Sequence, residues 1–194
     1  DRALAARFGD ALGAEAAGKG VNVIAAPTVN ILRTPLWGRA AETFGEDPYL
    51  AGEVVAAEIR ALQSHGVAAQ VKHYAANNQE IGRFGNPLGN PPLSPAIDEI
   101  VPERALQEIY LPAFKAAVQQ GGALSVMCSY PRINGVYACQ NAHLLTEVLK
   151  DAWGFVGFVG PDSTLGVRDT LAAANAGVDN FLLGGVGVPP ATAL

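Results

Sequence analysis

The stretch GFVGFVGPDS, residues 154–163, decides the fold because an apolar segment typical of a buried strand is followed directly by a carboxylate, Asp162. The apolar residues 155–159, with small glycine spacers, are typical of a strand covered on both faces. Gly160 and Pro161 are predicted to end that strand, since proline lacks the N–H that a strand ladder needs. Asp162 would then stand at the carboxyl end of a parallel strand, where α/β enzymes carry their chemistry. The same position also suits a turn or a helix N-cap, so Asp162 alone assigns no function.

The composition is that of a globular chain without nucleic-acid or membrane character. The 194 residues are 49% hydrophobic and 16% charged, which is enough to bury a sizeable core. The net charge of −5 comes without runs of one sign, and the apolar runs are far shorter than a membrane span. No signal peptide is visible. Because the chain begins with Asp1 rather than Met, we expect a preceding segment to be missing; the location stays open, with secretion slightly favoured over the cytoplasm.

Helical and strand patterns alternate along the chain. Helices are predicted at 2–19, 47–66, 102–122, 141–153 and 167–176, and strands at 21–25, 67–71, 124–127, 155–159 and 179–183. In the first helix Leu4, Phe8 and Leu12 form one apolar face. Pro112 is expected to kink the third helix.

This order of strands and helices predicts parallel strands joined by crossover helices. Both an open doubly wound sheet and part of a (β/α)₈ barrel fit. No glycine-rich nucleotide loop is present, and long loops follow the strands, which favours the barrel. Because a complete barrel needs about 250 residues, we predict an α/β fragment of a TIM-type (β/α)₈ barrel with about five consecutive strand–helix units. Residues 1–183 would belong to this barrel and 184–194 to a linker or barrel-exit tail.

Polar side chains follow four of the predicted strands. In chain order they are Arg33 and Arg39, Lys72 and His73, Ser129 and Tyr130, and Asp162. Cations beside Asp162 would keep its carboxylate ionised. Such a mouth suits a polyhydroxylated substrate such as a sugar, held by charge-assisted hydrogen bonds while one carboxylate attacks. The alternative is a set of surface loops with solvated ions.

Metal and serine-hydrolase chemistry find little support in the sequence. His65, His73 and His143 stand on different elements without ligand spacing, so we predict neither a metal nor a cofactor. The GxSxG elbow of a serine hydrolase is absent. Cys128 and Cys139 lack zinc spacing, and a loop disulfide and two free buried thiols both fit.

Six blocks of the sequence resemble glycoside hydrolase family 3, in its β-glucosidase/β-xylosidase branch. They occur in family order: NILR at 30–33; WGR at 37–39 with Glu42, Phe44, Glu46, Asp47 and Pro48; VKHYAANNQE at 71–80; ERALQEIYLP at 103–112; VMCSY at 126–130; and WGF at 153–155 leading to Asp162. The chain is therefore similar to part of the N-terminal barrel domain of that family. The catalytic His-Asp loop of the β-N-acetylglucosaminidase branch is not found.

The resemblance implies a retaining β-glucosidase that removes terminal non-reducing β-D-glycosyl residues through a covalent glycosyl-enzyme intermediate. The site residues carried over are the nucleophile Asp162 and the sugar-subsite residues Arg39, Lys72, His73, Met127 and Tyr130. The general acid/base would come from a second domain, against which this chain and the rest of its barrel would pack. Within this chain, the carboxylates predicted to be loop braces or helix caps are Glu42, Glu46, Asp47 and Glu80. The expected partner is a glycoside, without nucleic acid or membrane.

Some positions depart from the family pattern. Pro161 and Ser163 stand where the family usually has Ser and Trp, which removes an aromatic face worth on the order of 1 kcal/mol to a stacked ring. The loop 82–102 follows no common pattern, and its Arg83 fits either a sugar ligand or a solvated surface residue. The alternatives are an inactive carbohydrate-binding relative, a β-xylosidase, a glycosidase for bulky glycosylated natural products, and a barrel aldolase using Lys72 as a Schiff base.

Overall fold

The helices and strands follow the predicted alternation, with shifted boundaries. The computed structural model describes residues 1–86, 94–163 and 165–181. Its strands are β1 (Val23–Ile24), β2 (Ala68–Tyr74), β3 (Asp98–Glu99), β4 (Ser125–Cys128), β5 (Arg132–Ile133), β6 (Val136–Tyr137) and β7 (Phe158–Pro161). Its α-helices are α1 (Arg2–Gly18), α2 (Pro48–Gln63), α3 (Glu103–Ala105), α4 (Pro112–Gln119) and α5 (Thr170–Ala176), with π-helical segments at Leu106–Tyr110 and His143–Ala152. Among the described residues, no helix is long and apolar enough to cross a membrane.

A parallel sheet carries the fold. Its strands lie in the order β1-β2-β4-β7, so each strand pairs with the next one of this sheet along the chain, as in a (β/α)₈ barrel. Strands β3, β5 and β6 form a separate small sheet in the loops above the carboxyl ends. The predicted α/β fold of TIM-barrel type is confirmed. Strand β4 is buried along its whole length and β7 at three of its four residues, which explains why they are apolar or small in composition, whereas Val23 of β1 is 41% exposed.

Strand β7 begins three residues later than predicted and includes Pro161. Pro161 pairs with Cys128 of β4, and the next ladder bond runs from the Asp162 N–H to the Cys128 carbonyl at 2.9 Å. The missing N–H of Pro161 therefore interrupts no bond to β4. The prediction that Gly160 and Pro161 break the ladder is wrong, because both are paired with β4; the strand ends at Pro161 and Asp162 follows its carboxyl end.

Helix α1 packs on α2 through its smallest residues rather than its largest. Gly9 and Gly13 lie against the backbone of α2, where a Cβ on Gly9 would collide with the Glu58 carbonyl oxygen. The apolar face predicted from Leu4 and Phe8 is instead 60% and 58% exposed. Leu4 and Phe8 line a groove of about 720 Å³ to which Lys72 also contributes.

The third predicted helix is interrupted at Pro112, as expected. The segment before it is π-helical, with the Leu111 N–H donating to the Leu106 carbonyl at 2.9 Å, and α4 starts afresh at Pro112. Proline suits this first position because its nitrogen has no hydrogen to donate. Asp47 caps α2 as predicted, accepting hydrogen bonds from the N–H groups of Tyr49 and Leu50 at 2.8 and 3.2 Å.

Two further expectations concern the loops and the end of the chain. Cys128 and Cys139 are joined by a disulfide, which closes the loop containing β5 and β6. The predicted strand 179–183 lies partly outside the described residues, and its described part is not a strand. Asp179 and Asn180 nevertheless donate their backbone N–H groups to the Val159 carbonyl of β7. The predicted tail 184–194 lies outside the described residues.

Candidate active site

Asp162 stands directly after β7 at the carboxyl edge of the sheet, and its side chain is only 14% exposed. Its Oδ2 lies 3.8 Å from His73 Nε2 and 3.7 Å from Arg83 Nη1. Neither distance is a hydrogen bond, and within the described residues Oδ2 has no hydrogen-bond partner. A buried carboxylate oxygen of this kind is available to a ligand.

Burial raises the pKa of Asp162 above its ordinary value, because it penalises the charged form. Arg83, the Tyr130 hydroxyl, Arg39 and Lys72 act in the opposite direction, and burial outweighs them. The cations expected from the sequence are therefore present beside Asp162. The larger effect, desolvation, depends on how deeply the loops cover the carboxylate.

His73 is buried, neutral and fixed in one tautomer. Asn30 holds its backbone twice, donating from Nδ2 to the His73 carbonyl at 2.9 Å and accepting the His73 N–H at 2.8 Å. Arg39 Nη1 lies 2.8 Å from His73 Nε2, and because a guanidinium only donates, Nε2 is the acceptor. Burial and the neighbouring cations lower the pKa of His73 to about 2. The ring proton is therefore on Nδ1, which faces Asn30 Oδ1 at 3.3 Å.

Arg39 and Lys72 supply the positive charge on this side of the site. Glu42 holds Arg39 through Nε at 2.8 Å and Nη2 at 2.6 Å, and this hydrogen bonding raises the pKa of Arg39. The pKa of Lys72 is lowered, first by burial and then by Arg39. Its ammonium makes no hydrogen bond to any residue that the structure describes. It is therefore a donor that a ligand could use.

Lys72 and His73 lie within β2 rather than after it, contrary to the predicted end of that strand at Val71. The pairing continues on both sides of the strand. On one side the Lys72 N–H donates to the Pro27 carbonyl, and the Lys72 carbonyl accepts the Val29 N–H. On the other side Tyr74 pairs with Cys128 of β4.

Tyr130 forms the wall on the other side of Asp162. Its hydroxyl lies 2.5 Å from Ser163 Oγ, and its ring is covered by the Arg83 guanidinium at 4.8 Å and by Phe84 at 5.5 Å. Met127 is buried in β4 opposite Gly160, two residues before Asp162 in the neighbouring strand. Five candidate subsite residues and Asp162 thus occupy the carboxyl ends of β2, β4 and β7 and the loop after β1.

Two arginines differ from what the sequence indicated. Arg33 lies over the Tyr110 ring at 5.7 Å, on the outer helical layer, rather than beside Asp162. Arg83, which the sequence left between a ligand and a solvated residue, is packed on Tyr130 and ion-paired with Glu80 at 2.9 Å. The solvated reading of Arg83 is therefore wrong.

Sequence reasoning gave no role to two residues that support the site, Asn30 and Trp37. Asn30 orients His73, and Trp37 donates its indole N–H to Glu80 at 2.9 Å. Glu80, predicted as a loop brace or helix cap, also forms an ion pair with Arg83 and so braces the loops. Asn30 and Trp37 lie in blocks that carried the family resemblance, which was the only signal for them. Within the described residues, no group of three or more His, Cys, Asp or Glu side chains could hold a metal ion.

Parallel strands of barrel type, with a buried carboxylate, cations and a tyrosine at their carboxyl ends, define the class as a barrel-type α/β protein with an enzyme-like site at the carboxyl ends of its strands. The sequence profile described as "Glycosyl hydrolase family 3 N terminal domain" matches residues 1–183. The chain belongs to this family, as its motifs predicted.

Named relatives agree with this assignment. Thermostable beta-glucosidase B of Acetivibrio thermocellus is 44% identical over 92% of this chain and 22% of its own length. An exo-alpha-(1->6)-L-arabinopyranosidase of Bifidobacterium longum is 43% identical over 89% of this chain and 21% of its own. The solved structure of beta-glucosidase 3B from Thermotoga neapolitana in complex with glucose superimposes with a TM-score of 0.86 at 41% identity, covering 94% of this chain and 24% of that one. The chain thus spans about a fifth of the length of the curated relatives.

Proposed function

We propose that this chain carries the nucleophile and part of the sugar subsite of a retaining β-glucosidase that hydrolyses terminal non-reducing β-D-glucosyl residues. The observation that carries the proposal is the buried Oδ2 of Asp162, which faces Arg83 and His73 without a hydrogen bond to either. A carboxylate oxygen that is desolvated, without a hydrogen-bond partner and next to a guanidinium is suited to attack an anomeric carbon.

In the proposed mechanism the ionised Asp162 attacks the anomeric carbon while the bond to the leaving oxygen breaks. Arg39 and Lys72 donate hydrogen bonds to sugar hydroxyls, and His73 fixes the Arg39 guanidinium through Nε2. Tyr130 and Met127 form the walls on either side of the sugar ring. Water then cleaves the glycosyl-enzyme ester, and two displacements give net retention.

The general acid/base is proposed to lie outside this chain. Retention requires a second carboxyl group about 5 Å from the first. Glu42 is bound to Arg39, Glu80 is bound to Trp37 and Arg83, and Asp47 caps α2. We therefore propose that residues 1–183 form part of the catalytic barrel, and that this part packs against the remaining strands and a second domain that supplies the acid/base.

Glucose is proposed as the sugar because the structural relatives at 41% and 36% identity, from Thermotoga neapolitana and Kluyveromyces marxianus, were solved in complex with glucose. Identity alone does not separate the sugars, since the relative named an arabinopyranosidase is as similar as the glucosidases.

Labelling of the nucleophile tests the proposal. A 2-deoxy-2-fluoro-β-glucoside with a dinitrophenyl leaving group should form a stable ester on Asp162, identified by peptide mass mapping of the protein as expressed from its natural gene. Asp162→Asn keeps the shape but removes the nucleophile, so kcat should fall by roughly 10³-fold or more while thermal unfolding is nearly unchanged. An adduct on another residue, or an inverted anomer as the first product by NMR, would contradict the assignment.

A further inference from the structure

The Glu80 side chain is the meeting point of two loops beside the site. Its Oε1 accepts the Trp37 indole N–H at 2.9 Å and the Asn77 amide at 3.3 Å, and its Oε2 forms an ion pair with Arg83, 2.9 Å from Nε. Trp37 is itself buried and comes from the loop after β1, whereas Asn77 and Arg83 follow β2. Two hydrogen bonds and one ion pair therefore hold this carboxylate in one position.

Glu80 in turn determines how far Arg83 reaches. With Nε bound to Glu80 and the guanidinium stacked 4.8 Å from the centre of the Tyr130 ring, Nη1 stops 3.7 Å from Asp162 Oδ2. Both of these atoms are buried, and neither has a hydrogen-bond partner in the part of the chain that the structure describes. Opposite charges in such surroundings normally close to about 2.8 Å. The ion pair between Glu80 and Arg83 Nε accounts for the longer distance between Nη1 and Oδ2.

We propose that Glu80 is a positioning residue that holds Arg83 back from Asp162, and so keeps Oδ2 of the nucleophile free to react. This inference rests on the proposed function, because it assigns Glu80 a part in the attack by Asp162. An arginine that closed onto Asp162 would form a charge-assisted hydrogen bond to the attacking oxygen and cover it. Competition between two carboxylates for one guanidinium prevents that arrangement.

The groups facing Asp162 come from several elements, and among them Arg83 is the one in direct contact with Glu80. They are Arg39 from the loop after β1, Lys72 and His73 from β2, Arg83 from the following loop, and Tyr130 from the loop after β4. Arg39 stays bound to Glu42, and His73 stays bound to Asn30. Loss of the Glu80 charge therefore frees Arg83 alone to move toward Asp162.

The variant Glu80→Gln tests this directly, because its amide oxygen can still accept the Trp37 N–H while its neutral NH₂ group cannot form an ion pair with Arg83. The readout is the pH dependence of the labelling rate with the dinitrophenyl 2-deoxy-2-fluoro-β-glucoside. Because its leaving group needs no protonation, the acid limb, which is the fall of this rate at low pH, reports the protonation of Asp162. Arg83 pairing with Asp162 favours the ionised carboxyl, so the limb should move to lower pH by roughly one unit. The plateau rate should fall by about tenfold because the oxygen is engaged.

The matched control is Glu108→Gln, which removes the carboxylate of an exposed ion pair with Arg104, whose Nε lies at 3.0 Å. It should leave both the limb and the plateau unchanged. In an Arg83→Ala background, Glu80→Gln should cause no further shift, because the group that Glu80 restrains is gone. Should Glu80→Gln fail to fold, Glu80→Asp, which is too short to hold Trp37 and Arg83 together, should shift the limb in the same direction.

An unmoved acid limb in a folded Glu80 variant that still labels Asp162, or an equal shift in the Arg83→Ala background, would overturn the role of Glu80 and leave the proposed function standing. Failure of the unsubstituted protein to label at Asp162 would overturn the proposed function and this inference with it.

Discussion

Ser163 follows the proposed nucleophile and shows how one residue can shape the substrate range. Its Oγ contacts the Tyr130 hydroxyl at 2.5 Å, and its φ of 44° is in the left-handed region that non-glycine residues rarely adopt. The family usually has Trp at this position. A serine leaves open the space that an indole would fill beside Tyr130.

We therefore expect bulky aglycones to be hydrolysed at least as well as short ones, and Ser163→Trp to penalise the bulky ones selectively. The ratio of kcat/KM between a large aryl glucoside and methyl glucoside should fall by about tenfold in the Trp variant. Ser163→Ala, which removes the hydroxyl without filling space, should keep the ratio. An unchanged ratio in the Trp variant would mean that this position does not border the aglycone.

At the scale of elements, the α1–α2 contact depends on residues without side chains. Gly9 and Gly13 bring the two helix backbones together, and a Cβ on Gly13 would stand 2.5 Å from the Leu62 carbonyl oxygen. In most helices alanine is preferred over glycine by about 1 kcal/mol. Here the close approach reverses that preference.

Gly9→Ala should therefore lower the free energy of unfolding by about 1–3 kcal/mol, because the helices must move apart. Gly18→Ala is the control, since no atom lies within 4 Å of the new Cβ, and it should leave stability equal or raise it by about 0.5–1 kcal/mol. Urea unfolding measures both changes. Equal effects at the two positions would show that helix propensity, rather than contact, governs this helix.

For the molecule as a whole, Glu58 is expected to make stability depend on pH. This residue of α2 is only 5% exposed, lines the groove beside α1, and has its pKa raised to about 7 by burial. The folded state thus binds the Glu58 proton more tightly than the unfolded chain, where the ordinary pKa is 4.5. The stability contributed by this proton is complete below pH 4.5 and is lost as the pH rises through about 7.

The variant Glu58→Gln should flatten this decline, since a neutral amide has no proton to lose. Unfolding free energies at pH 5 and pH 8, followed by tryptophan fluorescence, should differ less in the variant than in the unsubstituted protein. Glu15→Gln on α1, which replaces an exposed carboxylate, should keep the original difference. Matching pH profiles for Glu58→Gln and the unsubstituted protein would contradict the burial effect.

The sequence by itself determined the features that depend on neighbouring residues. Apolar periodicity predicted the alternating helices and strands, Asp47 and Pro112 marked helix boundaries, and the ordered family blocks predicted Asp162 and its subsite as the candidate site. Such signals lie within a few residues of one another, so they are visible without a fold.

Only the tertiary structure decided the features that join distant parts of the chain. Arg39 reaches His73 across 34 positions and Trp37 reaches Glu80 across 43, and these contacts decide the histidine tautomer and the place of Arg83. The pairing of Cys128 with Cys139, left open by spacing, also required the fold. Burial is likewise a property of the packed molecule, which is why the sequence showed the cations around Asp162 but not the desolvation that outweighs them.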